Sequence, residues 1–461
     1  MKHRIAVVGS GIAGLSAAYV LSKDPAIEVT LFEANSYFGG HTNTVDVQGM
    51  TNHGEQTCPV DTGFLVFNER TYPNLISLFK ELDIPSAYSD MSFSVQSLTH
   101  LCQRLEWSGS SLNSLFAQRR NLLNFRFLKM LKDIFRFNAL TTSLARTNLV
   151  DRLAIPLSQF LSEHRFDAYF IQGYLLPMIG CIWSCPTEQM LCFPVGTLIR
   201  FCDNHGLLQI SNRPRWLTVA GGANQYVKII TDKLEHKFLN TPVLNINRAQ
   251  SFCTLTTKMG ESHFDQLIMA THADQALSVL ADATSQEKEV LSTFKFKDNL
   301  AVLHKDAKML PVSKKAWAAW NFESASAIKL NQASNSSTSR NISQIEQADN
   351  PVCLHYYLNL LQPLPFNEPI IVSLNPVRTI EPHKIISTFN YAHPVFDLST
   401  DHAQKMLPKL QGHLNTWYAG AWSGYGFHED GHTSGVAAAL GAMRAIRSKS
   451  PALTTAQELS T

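Results

Sequence analysis

Near the start of the chain the apolar positions change period twice. Residues 4–8 (RIAVV) form a short apolar run halted by glycine, which predicts a buried strand. The run LSAAYVLSKD after Gly14 has helical spacing, and EVTLFE predicts a second strand closing at Glu33. Further on, FDQLIMA (264–270) predicts a strand beside Thr271 and His272, and VCLHYYLNLL and PIIVSLNP predict two more. PVDTGFLVF (59–67) places Asp61 and Gly63 at the entry to another apolar strand. The stretch 415–445 opens on the strand TWYAG, turns through 421–426 and enters the helix SGVAAALGAMRAI. Between about 110 and 140 the pattern is helical, with phenylalanines and leucines interleaved among cations. Residues 324–350, above all 331–344 (NQASNSSTSRNISQ), are small and polar without period and predict a flexible surface insertion. No internal repeat occurs.

The turn between the first strand and helix carries chemistry. Gly9, Ser10, Gly11, Ile12, Ala13 and Gly14 give a GxGxxG motif in the order strand, turn, helix, strand, acid, the setting that makes such a motif a credible dinucleotide site. Gly9 permits the tight turn, Gly11 leaves room for a pyrophosphate, and Gly14 brings helix and strand together. The helix start then offers oriented N–H groups to the anion. Glu33, 19 residues past Gly14, is placed to accept from both ribose hydroxyls. A carboxylate there repels a 2′-phosphate, which argues against NADP. Gly39 and Gly40 follow that acid closely, and a helix start near the C-terminal glycines can aim its positive end at a flavin's electron-rich edge.

Length and composition set bounds. At roughly 100–200 residues per domain, 461 residues imply two or three domains with cores that need no staple. The net charge of +2 lacks the concentrated basic surplus of a nucleic-acid binder. Charged residues are only 16% and phenylalanines number 26, which implies unusually apolar internal surface, either core or a pocket for an apolar ligand. The eight cysteines are irregularly spaced without a CxxC pair, arguing against a disulfide scaffold and for a reducing compartment. Cys181 and Cys185 lie four apart, with Cys192 and His205 downstream, but such residues more often serve as buried hydrophobes, and no metal site is expected. The N-terminal apolar stretch is broken by glycines and lacks a cleavage site, unlike a signal peptide. No run of about 18 apolar residues suggests a membrane span. A cytoplasmic protein is expected. Arg119, Arg120, Arg126, Lys129, Lys132 and Arg136 face only Asp133 in 113–138, so that segment reads either as a peripheral contact with the anionic inner face of the membrane or as a plain domain helix, phenylalanines inward and cations in water.

Together these residues resemble the flavin-containing amine oxidase and phytoene desaturase superfamily. Within it the chain is most similar to a bacterial branch of NAD/FAD-binding oxidoreductases, often encoded beside cyclopropane-fatty-acid synthases. The similarity runs through VDTGFLVFNERTYPNL (60–75), RWLTVAGGANQYV (215–227), MATHADQAL (269–277), LNLLQPL (358–364), YAHPVFD (391–397) and YAGAWSGYGFHEDG (418–431). It implies an α/β fold: a Rossmann-like FAD-binding domain from 1–90, 210–290 and 400–461, and a mixed-sheet plus helical substrate domain from 91–209 and 291–399.

The resemblance also implies roles. Gly9, Gly11, Ile12, Ala13 and Gly14 would hold the FAD pyrophosphate and Glu33 the adenosine ribose. Gly39, Gly40 and His41 match a Gly-Gly-Arg stretch, with His41 in place of arginine. Asp61 and Gly63 join the cofactor set, and Val243 would meet the adenine through its backbone amide. Gly420, Gly426, Phe427, His428, Glu429, Asp430 and Gly431 would line the ribityl chain and isoalloxazine. His428 stands where amine oxidases often carry a tyrosine, and no lysine clearly matches the one they bridge through water to flavin N5; Lys297, Lys305 and His304 are the nearby candidates. A cage without its aromatic wall grips an amine less well. Near a flavin, His428 reads either as the catalytic proton carrier at neutral pH or as a ring that only hydrogen-bonds its surroundings. His272 reads as a cap or packing residue. Trp422, Tyr425 and Phe427 either stack on the flavin or pack a turn. Three functions stay open: dehydrogenation or desaturation that takes a hydride from an apolar substrate such as a modified fatty-acyl lipid, amine oxidation to an imine with release of hydrogen peroxide, and flavin-mediated electron transfer without a substrate of its own.

Overall fold

The computed structural model describes residues 2–98, 104–147, 150, 153, 155–184, 187–208, 214–324 and 352–449. Apart from Ser324, the expected insertion at 324–350 lies outside the described residues, as does Cys185.

The first apolar run forms the strand His3–Val8, centre of a five-stranded parallel sheet. Its neighbours are Ile27–Phe32 on one side and Gln266–Met269 on the other, flanked by His236–Phe238 and Thr416–Tyr418. Alternate side chains divide between two faces. Ile5, Val7, Val29, Leu31 and Ile268 pack beneath the first helix, Ile12–Ser22, and the final helix, His428–Lys449. Ala6, Val8, Phe32, Leu267 and Met269 pack against the three-stranded sheet Asn245–Arg248, Cys253–Thr257 and Gly260–Phe264. On that second face Arg248 of the small sheet is fully buried against Glu287 of helix Ser285–Leu291. The guanidinium donates to both carboxylate oxygens at 2.5 and 2.8 Å, and the Tyr418 hydroxyl donates to Oε1 at 2.6 Å.

A seven-stranded mixed sheet forms the second half of the molecule, in the order Ile385–Val395, Lys295–His304, Ile371–Leu374, Cys353–Tyr357, Trp320–Glu323, Phe93–Leu98 and Arg104–Ser108. All pairs are antiparallel except Trp320–Glu323 with Phe93–Leu98. Helices Phe125–Ala145, Leu176–Trp183 and Val195–Asn204 share its largest core. The α/β class with a mixed sheet is as the sequence implied.

Local differences have physical reasons. VCLHYYLNLL is a strand only to Tyr357, because Leu358–Leu361 turns into a short helix whose Leu358 and Leu361 are buried. Asp61 ends the strand Gly54–Asp61 instead of opening one. Phe64, Leu65 and Val66 are apolar because they line a cavity, not because they pair in a sheet. The basic stretch is interrupted at Asn124, whose side chain accepts from the Arg126 and Phe127 amides and starts the long helix at Phe125.

Candidate active site

Where the first strand meets the first helix, the backbone is forced by close approach. Gly9 has φ +98°, and a Cβ there would stand 2.7 Å from the Ala270 carbonyl oxygen. A Cβ on Gly14 would lie 1.9 Å from the Gly9 oxygen, so helix and turn are in direct backbone contact. At Gly11 a Cβ would meet nothing within 4 Å. That open space faces the start of the helix, where the first amides have no intrahelical acceptor and no side chain caps them. Uncapped donors, a dipole end without an acid in its first turn and room for an approaching group suit a dinucleotide pyrophosphate.

Glu33 is buried behind this turn. Its Oε2 accepts from the Ser10 amide at 2.9 Å and the Ser10 hydroxyl at 2.6 Å, and Oε1 accepts from the Asn35 amide at 2.8 Å. With roughly four acceptor positions on a carboxylate, about one is left for an incoming hydroxyl, fewer than the two expected. Ser10, missed in the sequence because it sits between glycines without any period, is the residue that fixes this acid.

The turn opens into a cavity of about 840 Å³ that runs between the two sheets. Gly9, Gly11, Ile12, Ala13, Glu33, Gly39, Gly40, His41, Gly63, Val243, Gly420, Gly426, Phe427 and His428 all line it, drawn from five separated stretches of sequence. Gly14, Asp61, Glu429, Asp430 and Gly431 stand behind the wall. Asp61 accepts from the Ala223 amide, Thr44 and Gln362, tying three segments together. Burial raises its carboxyl to about 6. Glu429 accepts from the Asn74 and Leu75 amides, so its charge caps helix Pro73–Glu81. Asp430 accepts from the Phe427 amide at 2.9 Å, and burial raises it to about 6. These two acids occupy the first turn of the final helix, so the positive end expected to face a flavin is partly offset. A Cβ on Gly431 would stand 2.6 Å from Ile12 Cγ2, which makes this glycine a helix-packing position.

His428 stacks on Phe64 with ring centres 3.7 Å apart, and its Nε2 lies 3.0 Å from the Thr42 hydroxyl. Burial lowers its pKa to about 3. The ring is therefore neutral at physiological pH, a poor fit to a proton carrier that titrates near 7. His41, His272 and His393 gather nearby: His41 stacks on Tyr391 at 5.0 Å and meets His393 edge-on at 5.2 Å. His41 Nε2 is buried without a hydrogen-bond partner on the cavity wall, an orphaned polar atom that a bound cofactor would satisfy. His272 stacks on Phe296 at 4.2 Å and opens helix Ala273–Val279, in line with a packing and capping residue. Trp422 donates to the Thr271 oxygen and packs on Phe294, Tyr425 packs on Phe201, and Phe427 stacks on Phe201. This histidine group comes from four distant segments and leaves no spacing signal in the sequence.

The rings give a pH prediction. Burial lowers His41, His272, His393, His428 and His205, the last two to about 3 and about 4. Below about pH 6.5 the unfolded chain binds protons that the folded chain refuses, so stability falls on acidification. Asp61 and Asp430, raised by burial, pull the other way and offset only part of it. The urea midpoint is expected to drop between about pH 7 and pH 5, by up to ~1 kcal/mol per ring per pH unit in the extrapolated stability. An unchanged midpoint would show that these rings are charged when folded.

None of the three candidates for an N5 lysine reaches the cavity. Lys305 donates to the Gln48 oxygen and Glu368, Lys297 is absent from the lining, and His304 bonds Ser373 on the far face of the seven-stranded sheet. On that face Glu323, Cys353 and His355 come within metal-ligand reach of one another. There His355 Nε2 meets Glu323 at 2.9 Å and Arg378 holds the same carboxylate at 2.8 Å, a closed structural network. Among the described residues lining the cavity there is no lysine or arginine, and the only carboxylates are Glu33 and Asp298.

A family model for flavin containing amine oxidoreductase matches residues 12–295, more than half of the chain. The chain belongs to this family. It is an FAD-dependent oxidoreductase, and the open phosphate turn, orphaned His41 nitrogen and long cavity fit the cofactor that flavin amine oxidoreductases carry. Polyenoic fatty acid isomerase of Ptilota filicina is 27% identical over 175 residues, which is 35% of this chain and 34% of that protein, so the match spans about a third of that relative's length. Two solved structures share the fold over nearly the full length. The CLA-producing fatty acid isomerase from P. acnes has a TM-score of 0.60 at 14% identity, covering 96% of this chain and 98% of that one. Cyclohexylamine oxidase from Brevibacterium oxydans has a TM-score of 0.65 at 14% identity, covering 97% and 100%. No described helix is long and apolar enough to cross a membrane.

Proposed function

We propose that this flavin amine oxidoreductase removes a hydride from an apolar substrate of fatty-acyl type. The observation that carries the reading is the make-up of the cavity wall facing the seven-stranded sheet. Phe93, Met178, Ile182, Trp320, Tyr356 and Val372 build it without a charged side chain, and the one carboxylate this sheet brings to the cavity among the described residues, Asp298, acts on His272 instead. An ammonium group brought there would be desolvated without a counter-ion, at a cost of several kcal/mol. An acyl chain gains about 0.8 kcal/mol for each CH₂ removed from water. The relatives named as fatty acid isomerases agree in substrate class with this wall.

In this reading Gly9, Gly11, Ile12 and Ala13 hold the FAD pyrophosphate, Glu33 the ribose, Val243 the adenine, and the stretch Gly420–His428 the flavin ring. Bound FAD supplies the two-electron acceptor. The protein's own part is to exclude water with the aromatic wall and to hold a substrate C–H bond in a fixed orientation. His428 serves as a neutral hydrogen-bonding ring beside Thr42, in agreement with its lowered pKa.

The test is anaerobic reduction of the holoenzyme's flavin absorbance, with unsaturated and cyclopropane fatty acids or their phospholipids in one cuvette and a panel of primary and secondary amines in another. Bleaching by the acyl compounds alone is expected. Bleaching by amines alone would overturn the proposal, and no bleaching by either would favour electron transfer without a substrate.

A further inference from the structure

Around the start of the long helix Phe125–Ala145 the surface is apolar where it should be polar. Leu123 is 93% exposed, Phe125 79% and Leu112 77%, and Leu122, Leu128 and Phe135 are also exposed. The segment divides its phenylalanines: Phe127 and Phe137 are buried in the core, as a plain domain helix would have them, but Phe125 and Phe135 are not. Leu128, Lys132, Phe135 and Ala139 recur at spacings of four, three and four, so they share one outward face. The Asn124 cap fixes Phe125 at the first helical position, beside the protruding Leu123.

Exposed cations flank this apolar strip. Arg119, Arg120, Arg126, Lys129, Lys132 and Arg136 lie on the same surface, whereas the single acid of 112–140, Asp133, is buried. Lys129 pairs with Asp167 at 2.5 Å and Arg136 with Asp133 at 3.2 Å, and six cations against these two acids still leave a net positive charge. Protruding Leu and Phe side chains ringed by Arg and Lys match a bilayer, whose headgroups are anionic and whose interior is apolar, better than they match water. The other end of the same helix approaches the cavity. A shallow groove along the same helix is lined by Phe135, Ala139, Arg146 and Leu208, and the adjoining Leu207 lines the main cavity.

We propose that this face, centred on Leu123, Phe125 and Leu128, docks the enzyme on anionic lipid membranes, with the apolar side chains inserted among the headgroups and the cations on phosphate. Docking stands apart from the acyl-substrate reading, because binding and turnover are measured separately.

The holoenzyme is sedimented with vesicles of phosphatidylglycerol and, in parallel, of phosphatidylcholine. Strong binding to the first and weak binding to the second is expected. Leu123→Ser with Phe125→Ser should lower partitioning by on the order of tenfold on both. Arg126→Gln with Lys132→Gln should lower it on phosphatidylglycerol alone, by about fivefold per cation. Circular dichroism and the flavin spectrum establish that each variant is folded. Equal binding to both lipids, or binding unmoved by the Leu123 and Phe125 changes, overturns the proposal. So does an absence of vesicle binding with a dimer that the Leu123 and Phe125 changes dissociate, since the face then belongs to a second copy of the chain. Flavin reduction by fatty acid in detergent, unchanged in the variants, separates this result from the fate of the acyl-substrate reading.

Discussion

The Gly14→Val protein is expected to purify with less than about a tenth of the wild-type flavin per chain. Even the first added carbon would stand 1.9 Å from the Gly9 oxygen and 3.2 Å from Ala270 Cβ, both parts of a packed backbone junction. Overpacking of this kind costs typically 1–3 kcal/mol or more. It is relieved only by moving the first helix off the sheet, which carries its uncapped amides away from the turn. Gly11→Ala separates folding from binding. Its Cβ meets no protein atom within 4 Å, so the thermal midpoint should hold while FAD affinity falls, because the methyl group occupies the space left for the ligand. The ratio of visible flavin absorbance to protein absorbance reads both variants. Wild-type flavin content in Gly14→Val would remove this turn from the cofactor site.

Glu287→Gln is expected to destabilise the fold by about 2–3 kcal/mol, because it removes the two-point carboxylate partner of the buried Arg248 guanidinium and leaves Asp282, at 2.9 Å, to hold it. The pair joins three elements that are distant in sequence, the strand Asn245–Arg248, the helix Ser285–Leu291 and the strand Thr416–Tyr418. Replacing both residues by methionine should recover most of the loss, since two apolar chains of similar length need no partner and the released Asp282 is partly exposed to water. Urea midpoints of the two variants and the wild type check this, and a Glu287→Gln midpoint equal to wild type would refute it. The pH range differs from that of the histidines. Burial alone would raise Glu287, but hydrogen bonds from Arg248 and Tyr418 overcome it and lower the carboxyl from 4.5 to about 2. Its contribution is complete above about pH 4.5 and is lost only as the pH falls through about 2.

The parts of the site that are local in the chain are legible in the sequence. Strand, glycine turn, helix and acid lie within 33 residues, and each signal there is a matter of spacing. Assembly across the chain was not. His41, His272, His393 and Tyr391 meet because a strand of the seven-stranded sheet returns beside the dinucleotide turn, and no periodicity encodes that return. Asp61, by its place before Gly63 at a strand entry, and Glu429 and Asp430, by the family resemblance, were expected among the cofactor residues. In the fold each meets backbone amides instead. The final helix begins at His428, ahead of the alanine-rich run, since polar first-turn residues hide its start from a hydrophobic pattern. The two readings of 113–138 have a similar origin: one helix supplies core phenylalanines and surface phenylalanines a few positions apart.

The tight seating of the final helix on the first has a consequence for biosynthesis. Gly435 has so little room that a Cβ would lie 2.1 Å from the Ala13 oxygen, and Ser16 bonds His432 at 2.8 Å. The ribosome makes these two surfaces about 400 residues apart, which at 5–20 residues per second is roughly 20–80 s. Throughout that interval the nascent first helix lacks the partner for one apolar flank, and the cavity wall supplied by residues 420–428 does not yet exist. Cofactor capture is therefore a late event in the life of each chain, and the earliest helix made is among the last to be sheltered.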